Sequence, residues 1–304
     1  MFFVVLVLVS LLQVIIGYAS VPLRFQAVAS GLITVVFISA PIFALYNAAK
    51  FKWTAKIAIA FVLVGLAIQF GIGLEVGQKL LGGRGFAAAV CTAIGPLCGF
   101  TMWCAGLGAL LASILKDKNL LVPVSIFLAG FDIYLVVTPL GMTHFALQTK
   151  AVSEVFKSIG LSVPAPTAAP TGGKVHVLAY MGPADFLFMG MFFVALFRFN
   201  LRTRQTLYWL IPAVLAAIGL AFAFGSAAPM MVPIGLTVLL VNLPEFKMNK
   251  EEQASTFLVL ALVIAIVTGS YVLGKRVGPS QPAPGPAVSG SANSPAPTSP
   301  SPRP

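Results

Sequence analysis

Phe127-Leu-Ala-Gly-Phe-Asp-Ile-Tyr-Leu-Val-Val137 is an apolar run with one carboxylate, Asp132, at its centre. A second stretch, Tyr180-Met-Gly-Pro-Ala-Asp-Phe-Leu-Phe188, carries Asp185 in the same way. The remaining acidic residues, Glu75, Asp117, Glu154, Glu245, Glu251 and Glu252, lie in polar stretches between apolar runs. The chain has 304 residues, 59% hydrophobic and only 9% charged. Soluble proteins carry roughly 25% charged residues, and so few charges cannot cover a globule of this size. The mean hydropathy of +0.98 agrees. The composition excludes a soluble globular protein and predicts an all-α polytopic membrane protein. A charge at bilayer depth costs about 3 kcal/mol or more, which makes an intramembrane carboxylate a functional-site candidate.

A span needs about 20 apolar residues. That rule places nine candidate transmembrane helices at roughly 2–19, 29–48, 56–74, 86–115, 120–141, 178–197, 206–224, 227–243 and 255–274. The first run lacks a basic leading region and exceeds a signal peptide's apolar core, so it reads as a retained span. The fourth is long and contains Gly95-Pro96, which suits one tilted or kinked helix. Four spans form an N-terminal bundle, 1–118. A core, 119–243, holds both aspartates and a Pro-rich element, with an outer loop at 142–177 that reads as extended and flexible. An extra span occupies 244–276. The Pro/Ser/Ala-rich tail, 277–304, cannot bury a core and reads as disordered. No internal repeat is visible.

The net charge of +11 comes from basic residues in short loops beside the spans. This is membrane topology rather than nucleic-acid binding. Lys50, Lys52 and Lys56, then Lys116 and Lys118, then Arg198, Arg202 and Arg204, then Lys247 and Lys250 follow the even-numbered spans. The positive-inside rule puts those loops in the cytoplasm and the Pro-rich loop and tail outside. Lys150, Lys157, Lys174, Lys275 and Arg276 fall on the opposite side. Cys91, Cys98 and Cys104 read as small packing residues. So do Gly73 and Gly77, a small-xxx-small pair. Trp53, Trp103 and Trp209 read as interface anchors. His144 and His176 read as loop residues, because no cluster with metal-ligand spacing surrounds them. No metal site or cofactor is predicted.

Asp132 lies about 12 residues past Leu120, and Asp185 about 12 before Phe197. At 1.5 Å per residue both sit roughly 18 Å from the same membrane face. Consecutive antiparallel helices can therefore bring the two carboxylates together. Two facing carboxylates cannot both ionise easily and share a proton. Such a pair can run aspartic-protease chemistry, in which one carboxylate takes a proton from water and the other, protonated, polarises the scissile carbonyl. It can equally serve a proton- or cation-coupled transporter or leak channel. A purely structural role, in a catalytically silent scaffold, is the third alternative. Gly182 and Pro183 loosen the helical ladder before Asp185. Ala228-Pro-Met-Met-Val-Pro-Ile-Gly235 carries two prolines four apart, which leave backbone groups that an extended peptide could use.

Three blocks resemble the GxGD-type intramembrane aspartyl proteases, the presenilin and signal peptide peptidase family, in the family's order. Phe131-Asp132-Ile133-Tyr134 resembles its Tyr-Asp motif. Met181 to Phe199 resembles its Gly-x-Gly-Asp span, with Ala184 in place of the glycine before the aspartate. Pro229-Met-Met-Val-Pro233 resembles its Pro-Ala-Leu element. The similarity covers roughly residues 119–243. It implies a divergent, prokaryotic-like member with a nine-helix bundle in the plasma or inner membrane. It implies Asp132 and Asp185 as the catalytic dyad, with Tyr134, Gly182, Pro183, Ala184, Pro229, Met230, Met231 and Pro233 shaping the substrate site. It further implies hydrolysis of transmembrane segments or signal-peptide remnants without metal or cofactor. The implied partners are the lipid bilayer and transmembrane peptides, with self-association left open.

Overall fold

The computed structural model describes residues 1–73, 86–138, 160–166, 176–224 and 228–277. Among them the chain forms nine α-helices and one two-stranded sheet. The helices are α1 (Phe2–Tyr18), α2 (Gln26–Ala48), α3 (Ala55–Gly73), α4 (Phe86–Ile114) and α5 (Leu121–Val137), then α6 (Pro183–Arg198), α7 (Thr203–Phe224), α8 (Met231–Asn242) and α9 (Lys250–Val277). They follow the nine apolar stretches of the sequence. Five are long and apolar enough to cross a membrane: those within Leu23–Ala48, Ile94–Ile114, Lys118–Val137, Thr203–Phe224 and Lys250–Leu273. Phe257, Leu258, Leu262 and Ile264 of α9 are among many exposed large apolar side chains. Water would not tolerate so much apolar surface, and lipid does.

Two expectations are corrected here. The fold is not purely helical, and the apolar run at 178–197 is not one helix. Leu161–Ala165 (β1) pairs antiparallel with His176–Met181 (β2), and α6 begins only at Pro183. Part of the expected flexible loop is thus ordered strand. Leu161, Val163 and Met181 are buried, so one face of the sheet joins the core. The register shifts between Val163 and Pro164, where proline has no N–H to give the ladder. Gly182 then caps α6 in extended conformation, and Pro183 takes the first helical turn. Proline is favoured there because its missing N–H would have had no partner anyway. Residues 142–159 and 167–175 of the expected loop, His144 among them, Gly77 and the tail beyond Val277 lie outside the described residues.

The core is built around α6. Phe186, Met189, Met191, Phe192, Phe193, Ala195 and Leu196 are all buried. A helix apolar on nearly every side belongs at the centre of a bundle. It packs chiefly on α4, and secondarily on α2. Phe186 meets Phe100 edge-on at 5.2 Å, and Phe193 meets Tyr46 of α2 at 5.7 Å. The α4–α6 approach needs glycine: a Cβ on Gly108 would lie 2.6 Å from the Met191 amide nitrogen and 2.7 Å from the Leu187 carbonyl oxygen. On its other side α4 meets α3 as closely, through Gly99 and Gly65. Small residues that let backbones touch are the expected device where lipid supplies no hydrophobic drive. Trp103 is no interface anchor: it is buried in mid-α4 and its indole N–H donates to Gln69 of α3.

Side-chain caps tie the helix ends on the basic side. Arg198 Nη1 donates to the Ala112, Ser113 and Leu115 carbonyls at the end of α4, at 2.9, 3.3 and 3.1 Å. Asn242, fully buried at the end of α8, accepts from the Arg202 amide at 2.9 Å. Its amide group donates to Thr206 Oγ1 and the Val238 carbonyl. Asn200 turns the chain between α6 and α7 with φ of 52°, an αL conformation that asparagine tolerates.

Gly108→Leu should therefore force α4 and α6 apart and lower stability by about 3 kcal/mol or more. Gly219→Leu on α7, where nothing lies within 4 Å of the new Cβ, should leave the melting temperature in detergent within a degree or two. Equal melting of the two variants would show that the close approach is not needed.

Candidate active site at the aspartate pair

Three elements converge at one level. Asp132 lies on α5, Asp185 in the first turn of α6, and Met231 at the start of α8. Arg198 and Asn242 both belong to the basic end of the bundle. Counting back along their helices, Asp185 stands about 20 Å and Met231 about 17 Å from that end. Neither α6 nor α8 is long enough to cross a 30 Å hydrocarbon core. Counted from the basic end, both start short of the far face of such a core. Helix starts at that depth are stable only where protein or a water-filled cavity supplies partners for their free backbone groups.

For α8 the partners can be counted. Asp132 Oδ2 accepts the Met231 amide at 2.7 Å. The Val232 amide donates to the Pro229 carbonyl at 3.3 Å, Pro233 has no N–H, and the Ile234 amide donates to the Met230 carbonyl at 3.4 Å. Every donor of the first turn is used, and the carboxylate on another helix supplies the one partner the local chain cannot. An anion at a helix N-terminus is stabilised further by the helix dipole. Packing of α8 on α5 holds the pair in place, with a Cβ on Gly235 only 3.1 Å from the Ser125 carbonyl oxygen.

Asp185 is the third residue of α6. Its carboxylate lies within the electrostatic reach of Asp132 and close to the Gly182 amide. A Cβ on Gly182 would meet Asp185 Oδ2 at 3.4 Å, an ordinary van der Waals contact. Cys104 of α4 closes one side: its thiol donates to the Pro183 carbonyl at 3.7 Å. Cys98 and Cys104 are free and buried. The helices carrying the two aspartates are not close packing partners; α5 lies chiefly on α8 and α9, and α6 on α4.

The other expected site residues divide. Met230 caps α8 and Pro229 precedes it, both half-buried. Pro233 sits one turn on; its carbonyl accepts from Thr237 Oγ1. Ala184 is exposed beside Asp185. Tyr134 departs from the group. Two residues from Asp132, it projects to a different side of α5 and continues the ring row of Phe127 and Phe131, at 6.2 Å from Phe131. Cys104 was missed as a neighbour of Asp185, since nothing in its sequence surroundings points there. Among the described residues no group of three His, Cys, Asp or Glu side chains could hold a metal.

No protein-family model, curated protein or solved structure matches the chain.

The α8 cap gives a stability prediction. Asp132→Ala should cost about 0.5–2 kcal/mol and raise amide exchange at Met231. Asp132→Asn keeps a cap-competent oxygen and should retain most of that stability. Thermal unfolding in detergent, with hydrogen exchange read at residues 229–234, checks both; identical stabilities for the two variants would argue against the cap.

Proposed function

We propose that the chain is an intramembrane aspartyl endopeptidase acting on transmembrane segments or signal-peptide remnants, in a prokaryotic plasma or inner membrane into which all nine helices insert. The observation that carries the reading is that two carboxylates on buried-core helices lie within electrostatic reach of each other, one of them bonded to a proline-interrupted helix start. In this chemistry one carboxylate removes a proton from water, whose oxygen attacks the scissile carbonyl carbon. The other, protonated, hydrogen-bonds the carbonyl oxygen as it gains charge. Breakdown of the tetrahedral intermediate returns a proton to the leaving amine. No metal or cofactor is called on.

A transmembrane substrate is helical, so its scissile bond must first be unwound. β2 leads directly into Gly182 and Asp185, and β1, on its far side, packs on α1 and α2. Among the described residues the other edge of β2 pairs with no strand, and it would offer a row of backbone partners to an extended peptide. Pro229 to Pro233 would border the same strand from α8. These features support peptide hydrolysis over ion conduction, which has no use for a strand edge.

One observation favours a second reading, a catalytically silent scaffold. Each aspartate occupies a helix N-terminus, where a carboxylate stabilises the fold with no chemistry attached. Incubation of the purified protein with labelled single-span peptides separates the two. Cleavage should fall about a hundredfold or more in both Asp132→Asn and Asp185→Asn, while melting temperatures change little. Cleavage that survives either substitution would overturn the protease reading, as would ion flux dependent on Asp132 with no peptide cleaved.

A further inference from the structure

A cleft of about 530 Å³ opens at the basic end of the bundle, between the α2–α3 turn and the last turns of α4 and α6. Its wall carries Lys50, Lys52 and Arg198, and no carboxylate. Each cation meets only neutral groups. Lys50 Nζ donates to Asn47 Oδ1 at 3.1 Å and sits over the Tyr46 ring at 4.5 Å. Arg198 uses Nη1 on three carbonyls, which leaves Nε and Nη2 without a bond to any described residue. Lys52 is exposed and makes no ion pair among the described residues. The ends of α2, α4 and α6 contribute roughly half a negative charge each. Three full cations exceed that, and the cleft stays positive.

Apart from Ser113 the rest of the wall is mostly apolar, from Ala49, Ala112 and Phe197 among others. Trp53 lines it too, its indole N–H donating to the Ala48 carbonyl at 3.1 Å. A half-buried tryptophan at a helix end marks headgroup depth. A basic pocket with an apolar floor, between helix ends on the cytoplasmic side, has the chemistry that retains a phospholipid headgroup. We infer that this cleft binds the phosphate of an anionic phospholipid, with the cations on the phosphate and the apolar wall against the glycerol and first methylenes. Arg198 is held in place by α4 before any ligand arrives, so a planar donor edge is ready for phosphate oxygens at little ordering cost. The site lies at the opposite end of α6 from Asp185 and does not depend on the proposed chemistry.

The test uses the full chain purified in neutral detergent, with lipid retention read by native mass spectrometry. Phosphatidylglycerol should be retained over phosphatidylcholine, and the double variant Lys50→Glu with Lys52→Glu should lower that retention about tenfold or more. Arg204→Glu is the control, because Arg204 is exposed on the same end but lies outside the cleft. It should keep the lipid. Retention in the double variant, or an equal loss in the Arg204 control, would overturn the site. Inorganic phosphate at millimolar concentration should not displace the lipid; displacement, with phosphate itself retained, would assign the cleft to a soluble anion and overturn the lipid.

Discussion

The hydrogen bond from the Met231 amide to Asp132 carries the arrangement of the whole candidate site. Hydrocarbon offers no water to a helix start, so a helix that begins at mid-bilayer must find every partner within the protein. Pro233 removes one demand by lacking an N–H. Pro229 and Met230 meet two more with their carbonyls. The last falls to a carboxylate 99 positions away in sequence. Were α8 a full-length span, that demand would lie at the membrane surface and Asp132 would have no structural reason to be where it is. The same bond places a carboxylate, a proline-rich turn and, through electrostatic contact, Asp185 at one depth.

Depth in turn depends on the basic end. Arg198 ties α6 to α4, while Asn242 ties α8 to the α6–α7 turn. With those ends locked together, helix length alone determines how high each start reaches. Sixteen residues of α6 and twelve of α8 bring Asp185 and Met231 to within a few ångström of each other along the membrane normal. The dense contact of α6 with α4 adds rigidity, because a helix packed backbone to backbone cannot tilt without separating Gly108 from Met191. A reaction between fixed groups needs such a frame more than it needs strong individual interactions.

Much of this was legible in the chain. Apolar runs of the right length marked all nine helices, and simple counting put both aspartates at one level. The strand β2 was not legible. Residues 176–181 are continuous with the apolar run of α6, and a short buried strand cannot be told from helix by periodicity alone. Gly182-Pro183 held the signal, since proline at a first helical position marks a start as readily as a break. The strand's partner, β1, lies in a stretch whose prolines suggest a loop. The role of Trp103 failed for a different reason. Its place as a buried donor depends on Gln69 of α3, and contacts between distant segments leave no local pattern. Tyr134 was assigned to the site by resemblance, but its side of α5 is set by helical geometry.

Two of the departures from the resembling family's pattern can be weighed by position. Phe131, where that family has tyrosine, is 47% exposed and stacks on Phe127. A hydroxyl there would point with the exposed ring row, away from the Met231 contact, so its loss removes nothing from the carboxylate geometry described above. Ala184 replaces a glycine that precedes the second aspartate. Glycine is required only where the backbone adopts positive φ or another chain presses close. Among the described residues Asn200 alone, of the non-glycines, has positive φ. Ala184 is an ordinary second residue of a helix and is exposed. Its methyl group meets no strain and fills no space that the pair needs.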